Sequence, residues 1–287
     1  MQSNRKRLLL LLLHVVVVGF AVSSAAMAQN VADWTVQAPP STVQLVGVKA
    51  VSAGGLRFNF KNVLKKTIVE FKVASPEFNG SSTERGVDAF TTGIGEVKPG
   101  GTMSVNFDEK DFSSGNQTDR TLRVEAVVYT DGSYVGSKKE LDSIEDEMLG
   151  AALETERVAN LLATSREIIF GPNSYPEEKV GKPLASPTVE EAAAVRGIVL
   201  PGISQSYIDA RINRPASRVA FGVNLARASL LADMENKKKQ VTMPSTVPQM
   251  RDDSPGDPAT ELAQKYSTLA KKQVHIISGF ITASSAP

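Results

Sequence analysis

Glu70, Asp108, Asp111 and Glu125 are the acids in the first half of the chain whose chemistry fits general acid and base work. Glycoside hydrolysis by paired carboxyls needs two such groups flanking the scissile bond, and these pairs meet only in the fold. No spacing singles out two of the four. Sugar sites usually also display aromatics, and this chain has one tryptophan, Trp34, and five tyrosines. Denser acidic runs occur as "DEKD" (108–111), "EDE" (145–147) and "DDSPGD" (252–257). None has the alternate acids, central glycine and terminal glutamate of a calcium loop. The expectation for them is loop or helix-surface charge.

Other chemistries have fewer candidates still. Past residue 28 the chain holds one histidine, His275, and no cysteine. Composition therefore excludes a histidine-rich or thiolate-ligated metal site, a disulfide and a thiolate nucleophile. No H-E-x-x-H is present. "GISQS" (202–206) lacks the second glycine of a nucleophile elbow, and no S-x-x-K follows the leader. The glycines of "TTGIGEVKPGG" (91–101) match neither a phosphate loop nor a dinucleotide fingerprint. The reading is one of no catalytic residue, no cofactor-binding residue, no metal ligand and no cofactor.

The first 28 residues set the address. Arg5, Lys6 and Arg7 precede an apolar run, "LLLLLLHVVVVGFAV" (8–22), and Ala26-Met27-Ala28 follows in A-x-A order. This is the layout of a cleavable secretory signal, with the mature chain starting at Gln29. The run stops short of the about 20 apolar residues that a spanning helix needs. No cysteine follows it to take a lipid, and no later apolar stretch is long enough to span a bilayer. The expected product is soluble and exported, periplasmic or extracellular, and the lack of cysteine tilts the source toward bacteria. Removing three basic residues leaves 32 − 3 = 29 basic against 31 acidic, a net charge of −2. That balance lacks the basic excess of a nucleic-acid binder. Without disulfides, the remaining 287 − 28 = 259 residues must be held by their core.

The elements that would position any site differ between the two halves. From Trp34 to Ser137 the pattern has period two, with strands expected at 34–38, 42–51, 56–61, 67–74, 102–108 and 121–130 and a short one at 87–92. Leu56, Phe58 and Phe60 share one face and Arg57, Asn59 and Lys61 the other. Val69, Phe71 and Val73 likewise oppose Glu70 and Lys72. One oily and one wet face is the mark of antiparallel sheets packed face to face. "SAGG", "KPGG" and "TDGS" supply the turns. Asn62, Lys65 and Lys66 stand where one strand ends and the next begins, and read as a structural corner, since asparagine readily closes turns.

After Ser137 the period becomes helical. Leu141, Ile144, Met148, Ala151, Thr155, Val158 and Leu162 form one stripe over 141–165, with Glu145, Glu147, Glu154, Glu156 and Arg157 off it. Ser143 and Asp146 have capping-box spacing. A linker at 170–187 leads to a short helix at 186–197 (Ser186 as cap, Pro187 first), an ambiguous stretch at 198–217, a helix at 218–239 and a last helix. In that last helix Asp257 caps, Pro258 starts, and Leu262, Tyr266 and Leu269 define the buried face. The expected organisation is a signal peptide (1–28), a β-sandwich (29–137), an amphipathic helix (138–169), and a linker with helical extension (170–287).

Asn62, Lys66 and Ile68 in "KNVLKKTIVEFKV", Pro99-Gly100-Gly101 opening a later strand, and Asp131-Gly132 closing "LRVEAVVYTDG" resemble small exported bacterial sandwich domains of the FxLYD and water-stress groups. The resemblance spans residues 42–137 and leaves the C-terminal half unmatched. It implies an immunoglobulin-like fold and a non-catalytic role, and it carries no ligand residues across. The fold class expected is α+β, an N-terminal antiparallel immunoglobulin-like β-sandwich followed by a helical C-terminal region. The functional expectation is an exported, non-catalytic envelope or extracellular protein with a binding or structural role. One alternative is a carboxylate-based hydrolase whose site assembles only in the fold. The other is an oligomer paired through the 141–165 helix. No nucleic acid and no membrane span are expected.

Overall fold

The computed structural model describes residues 34–38, 42–51, 55–76, 83–93, 95–108, 111, 120–164, 175–242 and 257–284. The leader and the acids Asp252 and Asp253 lie outside these residues. Among the described residues the strands are β1 (Thr35–Gln37), β2 (Val43–Ala50), β3 (Leu56–Asn62), β4 (Ile68–Ala74), β5 (Glu84–Asp88), β6 (Thr102–Phe107), β7 (Thr121–Tyr129) and β8 (Tyr134–Gly136). The helices are α1 (Ala89–Thr92), α2 (Lys138–Thr164), α3 (Pro176–Val180), α4 (Val189–Ala194), α5 (Gln205–Asn213), α6 (Val219–Thr242) and α7 (Pro258–Ser284). The chain is thus α+β, with sheets in its N-terminal part and helices in its C-terminal part. No described helix is long and apolar enough to cross a membrane.

One sheet has the order β1-β7-β4-β5, with β8 also pairing β7, and the other the order β2-β3-β6. The pairs β2/β3, β3/β6 and β7/β8 are antiparallel, as alternation predicts. β1 departs from that expectation and runs parallel to β7, Thr35 opposite Thr121. Partners so far apart in the chain are not joined by a hairpin, so no tight turn imposes an antiparallel sense.

Two compact units divide the chain. The first comprises Met1–Lys65, Lys72–Val87 and Val97–Glu125, the second Lys66–Phe71, Asp88–Glu96 and Ala126–Pro287. In the first, β3 and β6 keep the expected alternation: Phe58, Phe60, Met103, Val105 and Phe107 are buried, while Arg57, Lys61, Ser104 and Asn106 face water. Phe58 meets Trp34 edge-on at 4.7 Å and Phe107 at 5.8 Å. Burying one such ring stabilises the fold by about 1.5–3 kcal/mol.

The second unit corrects the reading of β4. Ile68, Val69, Glu70 and Phe71 are all buried, so the strand has no wet face over this stretch. Val69, Ala126 and Val128 join a core with Leu149 and Leu153 of α2, Val223 of α6 and Phe280 of α7. A strand covered by helices loses its polar side, as parallel-sheet strands do.

Local signals explain the remaining differences. The strand expected at 87–92 gives way to α1, because the Asp88 side chain accepts from the Thr91 N–H at 2.8 Å and Gly93 closes the turn in left-handed conformation. The capping box at Ser143 and Asp146 is overturned. α2 begins earlier, where the Ser137 hydroxyl accepts from the Glu140 N–H, and both residues sit inside it. For α4 the capping pair is Thr188 and Glu191, not Ser186 with Pro187. α3 forms within the expected linker, and α5, capped by Ser204, lies in the stretch left ambiguous. The last helix starts as expected, with the Asp257 carboxylate accepting from Ala259 N–H and Pro258 first; Leu262 and Tyr266 are buried, but Leu269 is only half-buried.

Candidate functional site

α2 places Asp142, Glu145 and Asp146 on one flank, since steps of three and four residues return to the same side of a helix. Glu154 lies about two turns further on. All the stripe residues Leu141, Ile144, Met148, Ala151, Thr155, Val158 and Leu162 are buried, as expected. So too, however, are Glu145, Asp146 and Glu154, which corrects the reading of these acids as surface charge. A carboxylate removed from water is retained only when donors replace its hydration. Arginines supply those donors.

Asp146, fully buried, receives Arg214 at 2.6 Å and the Arg218 backbone N–H at 2.9 Å on Oδ2. Arg211 Nε lies 2.8 Å from Oδ1, an ion contact without hydrogen-bond angle. Arg211 also reaches Glu145 at 2.8 Å, and both Arg211 and Arg214 donate to the Asp142 carbonyl oxygen. The Tyr207 hydroxyl donates to Glu145. Burial above all, then that hydrogen bond, pushes the phenol well above the ordinary tyrosine range. The segment from α5 to the start of α6 is thereby fastened to α2.

Two turns on, Glu154 is the centre of a second cluster. It accepts from Arg157 at 2.7 and 2.8 Å and from Arg227 Nε at 2.8 Å. The other end of Arg227 donates to Glu191 of α4 at 2.9 Å, and Arg157 donates to the Val180 carbonyl at 2.7 Å. Glu154 therefore ties α2, α3, α4 and α6 together through two guanidinium groups. Committed in this way, these carboxylates balance arginine charge between the helices.

The four acids weighed for hydrolysis fare differently. Asp108 and Asp111 come together at the end of β6: the Asp108 N–H donates to Asp111 at 2.9 Å, and Arg85 lies 3.2 Å from Asp111 and 4.0 Å from Asp108. Thr83 adds a further donor to Asp111. Glu125 is paired with Arg123 at 3.1 Å, and Glu70 is buried in β4. Three surface hollows are lined by helix residues, among them Glu156 and Lys271, Asp233 and Glu261, and Tyr266 with Thr91. None of the four acids lines them. His275 is exposed on α7, and no group of three or more histidines and acids able to hold a metal ion is found among the described residues. Ser204 of "GISQS" caps α5, its hydroxyl accepting from the Tyr207 N–H.

The corner at Asn62 is structural, as read. Its side chain donates to the Val97 carbonyl at 2.9 Å and accepts from the Leu64 N–H at 3.1 Å. Lys66 pairs with Asp131 at 2.8 Å and with the Ser133 hydroxyl. Arg211, Arg214, Arg227, Glu191 and Tyr207 were not singled out from the sequence. The available signal was the run Arg211, Arg214, Arg218, whose steps of three and four complement the acids of α2. The chain matches no family model, no curated protein and no solved structure.

Proposed function

We propose that the chain is an exported, non-catalytic protein of the cell envelope or extracellular space, acting in binding or as a structural component. The observation that carries this reading is the condition of its buried acids. Asp146, Glu154 and Glu191 are each committed to arginines that hold helices together. Asp108, which is exposed, and Asp111, whose side chain is nearly buried, share Arg85. In this reading the strand-rich part is an immunoglobulin-like sandwich, supported by the edge contacts of Trp34, beside β1, with Phe58 and of Phe58 with Phe107. Export is supported by the charged, apolar and small-residue order of residues 1–28.

Fractionation of cells producing the full chain tests the address. A form beginning at Gln29 outside the cytoplasm is the expected result, and uncleaved chain confined to the cytoplasm overturns it. Asparagine or glutamine at Glu70, Asp108, Asp111 and Glu125 tests the chemistry. Hydrolysis of glycoside, ester or peptide substrates that any of these substitutions abolishes would establish the hydrolase reading instead. Pairing of chains through residues 141–165 would require exchange of α2, because its stripe is buried by the chain's own helices. Light scattering of the full chain decides that point.

A further inference from the structure

The outer face of the sheet β2-β3-β6 has an unusual charge composition. None of the three strands contains an acidic residue. The register sets Lys49 opposite Arg57, Arg57 opposite Asn106, and Asn59 opposite Ser104, with Lys61 two residues further along β3. Lys49, Arg57, Lys61, Ser104 and Asn106 are exposed. The first acid beyond β6, Asp108, lies by Arg85. A chain whose formal charge is +1, and −2 without its leader, thus gathers three cations on one small face whose strands hold no acid.

Lys49 and Arg57 are like charges set directly across a strand pair, an arrangement that works against folding. Arg57 Nε donates to the Asn106 side-chain Oδ1 at 3.0 Å, and the Ser104 hydroxyl donates to the Asn59 side-chain Oδ1 at 2.7 Å. These bonds use the amide oxygens and leave the two amide NH2 groups between the cations as donors. Opposite Asn59 stands Gly47, where an added β-carbon would meet the Asn59 amide nitrogen at 3.1 Å. The middle of the face is therefore low and flat.

We propose that this face binds an anionic polysaccharide. The inference deepens the binding reading above and rests on it. Arg57 and Lys61, on the same side of β3, stand about 13 Å apart, and Lys49 stands about 5 Å from Arg57 across the strand pair. The amides and hydroxyl between them match a polymer that alternates carboxylates with hydroxyl groups. A protein partner would call for aromatic or aliphatic anchors, a membrane for an inserting apolar face, and single-stranded nucleic acid for stacking rings. Among the described residues the face has only Val46 at the bulge of β2 and Val63 just past β3 as exposed aliphatics, and no aromatic ring.

Native gel electrophoresis of the full chain through polygalacturonate, with dextran and poly-glutamate as comparison polymers, tests the proposal. Retardation by polygalacturonate but not dextran is expected, weakening as salt is raised. The triple variant K49Q/R57Q/K61Q binds about tenfold more weakly. N59A/S104A weakens polygalacturonate binding and leaves any poly-glutamate binding unchanged. All these positions lie on the sheet surface, and circular dichroism verifies folding; K49E replaces the triple variant if that one unfolds. Absence of retardation, equal retardation by dextran, indifference to the substitutions, or tighter binding to poly-glutamate overturns the proposal. Such a failure in a chain that is still exported and turns nothing over leaves the broader reading standing. Acid-dependent hydrolysis overturns the broader reading instead.

Discussion

Arg227 of α6 and Glu154 of α2 form a buried ion pair, Nε 2.8 Å from Oε1, with 7% and 0% of their side-chain surfaces exposed. The pair is a junction, because Arg227 also holds Glu191 and Glu154 also holds Arg157. Truncating one partner strands a charge in the interior. Glu154→Ala is expected to lower unfolding free energy by about 3–5 kcal/mol, whereas Glu154→Gln, which fills the same space and keeps one of the two acceptor oxygens, costs less. Urea denaturation of the two variants beside the parent measures the difference. Equal and small losses would show that the arginines find water instead.

α2 and α6 touch backbone to backbone at Gly150 and Gly222. A β-carbon on Gly150 would lie 2.1 Å from the Val219 carbonyl oxygen, and one on Gly222 would lie 2.0 Å from that of Glu147. Alanine improves helix propensity by about 1 kcal/mol over glycine, yet here it must push two helices apart. Gly150→Ala and Gly222→Ala are each expected to destabilise by about 3 kcal/mol. Thermal unfolding followed by circular dichroism reads this directly, and a raised melting temperature would contradict the close approach.

What the sequence disclosed, and what it hid, follows from the range of each signal. The Asp257 cap and the Leu64 side of the Asn62 corner were legible because those partners lie two residues away, whereas the Val97 partner of Asn62 lies 35 residues on. The stripe from Leu141 to Leu162 was legible because helical periodicity needs no partner at all. Glu145, Asp146 and Glu154 were not. A polar flank reads as solvated unless its counter-charges are known, and Arg211, Arg214 and Arg227 stand 65 to 73 residues away. Glu70 was misplaced for a related reason, since period-two alternation marks two faces without saying whether the polar one is covered. The α1 turn was local and readable from Asp88 and Gly93, but apolar Val87 and Phe90 favoured a strand.

The β7–β8 turn carries two groups whose titration is shifted in opposite senses. Burial by itself raises the Asp131 carboxyl, but hydrogen bonds from Lys66 and Ser133 outweigh it and hold the group at about 2, against an ordinary 3.8. A folded value below the unfolded one gives stability that is complete above about pH 4 and fades as pH falls toward 2. With the Asp131 side chain half exposed, the contribution is under about 1 kcal/mol. Tyr129 shifts the other way, pushed up to about 12 by burial and secondarily by Asp131. Its contribution is complete below pH 10 and fades toward 12. Asp131→Asn is therefore expected to flatten the acid limb and to move phenol ionisation, followed by ultraviolet absorbance, to lower pH. An unchanged acid limb would remove Asp131 from the account.

The two side-chain hydrogen bonds of Asn62 can be tested separately. The residue is wholly buried; its amide nitrogen serves the Val97 carbonyl and its amide oxygen the Leu64 N–H. Its backbone also exchanges hydrogen bonds with Gly100 and Gly101, just before β6. Asn62→Ala leaves a carbonyl and an N–H unsatisfied, at about 1–3 kcal/mol each. Asn62→Asp retains the acceptor but turns an ionised oxygen toward the Val97 carbonyl, a repulsion that protonation relieves. The alanine variant should thus be destabilised at every pH. The aspartate variant should be worse at neutral pH and recover relative to alanine as the solution is acidified. Denaturation midpoints for both variants at neutral and acid pH separate these effects; parallel pH profiles would mean that Asn62 fills space at the corner and its hydrogen bonds do not hold it.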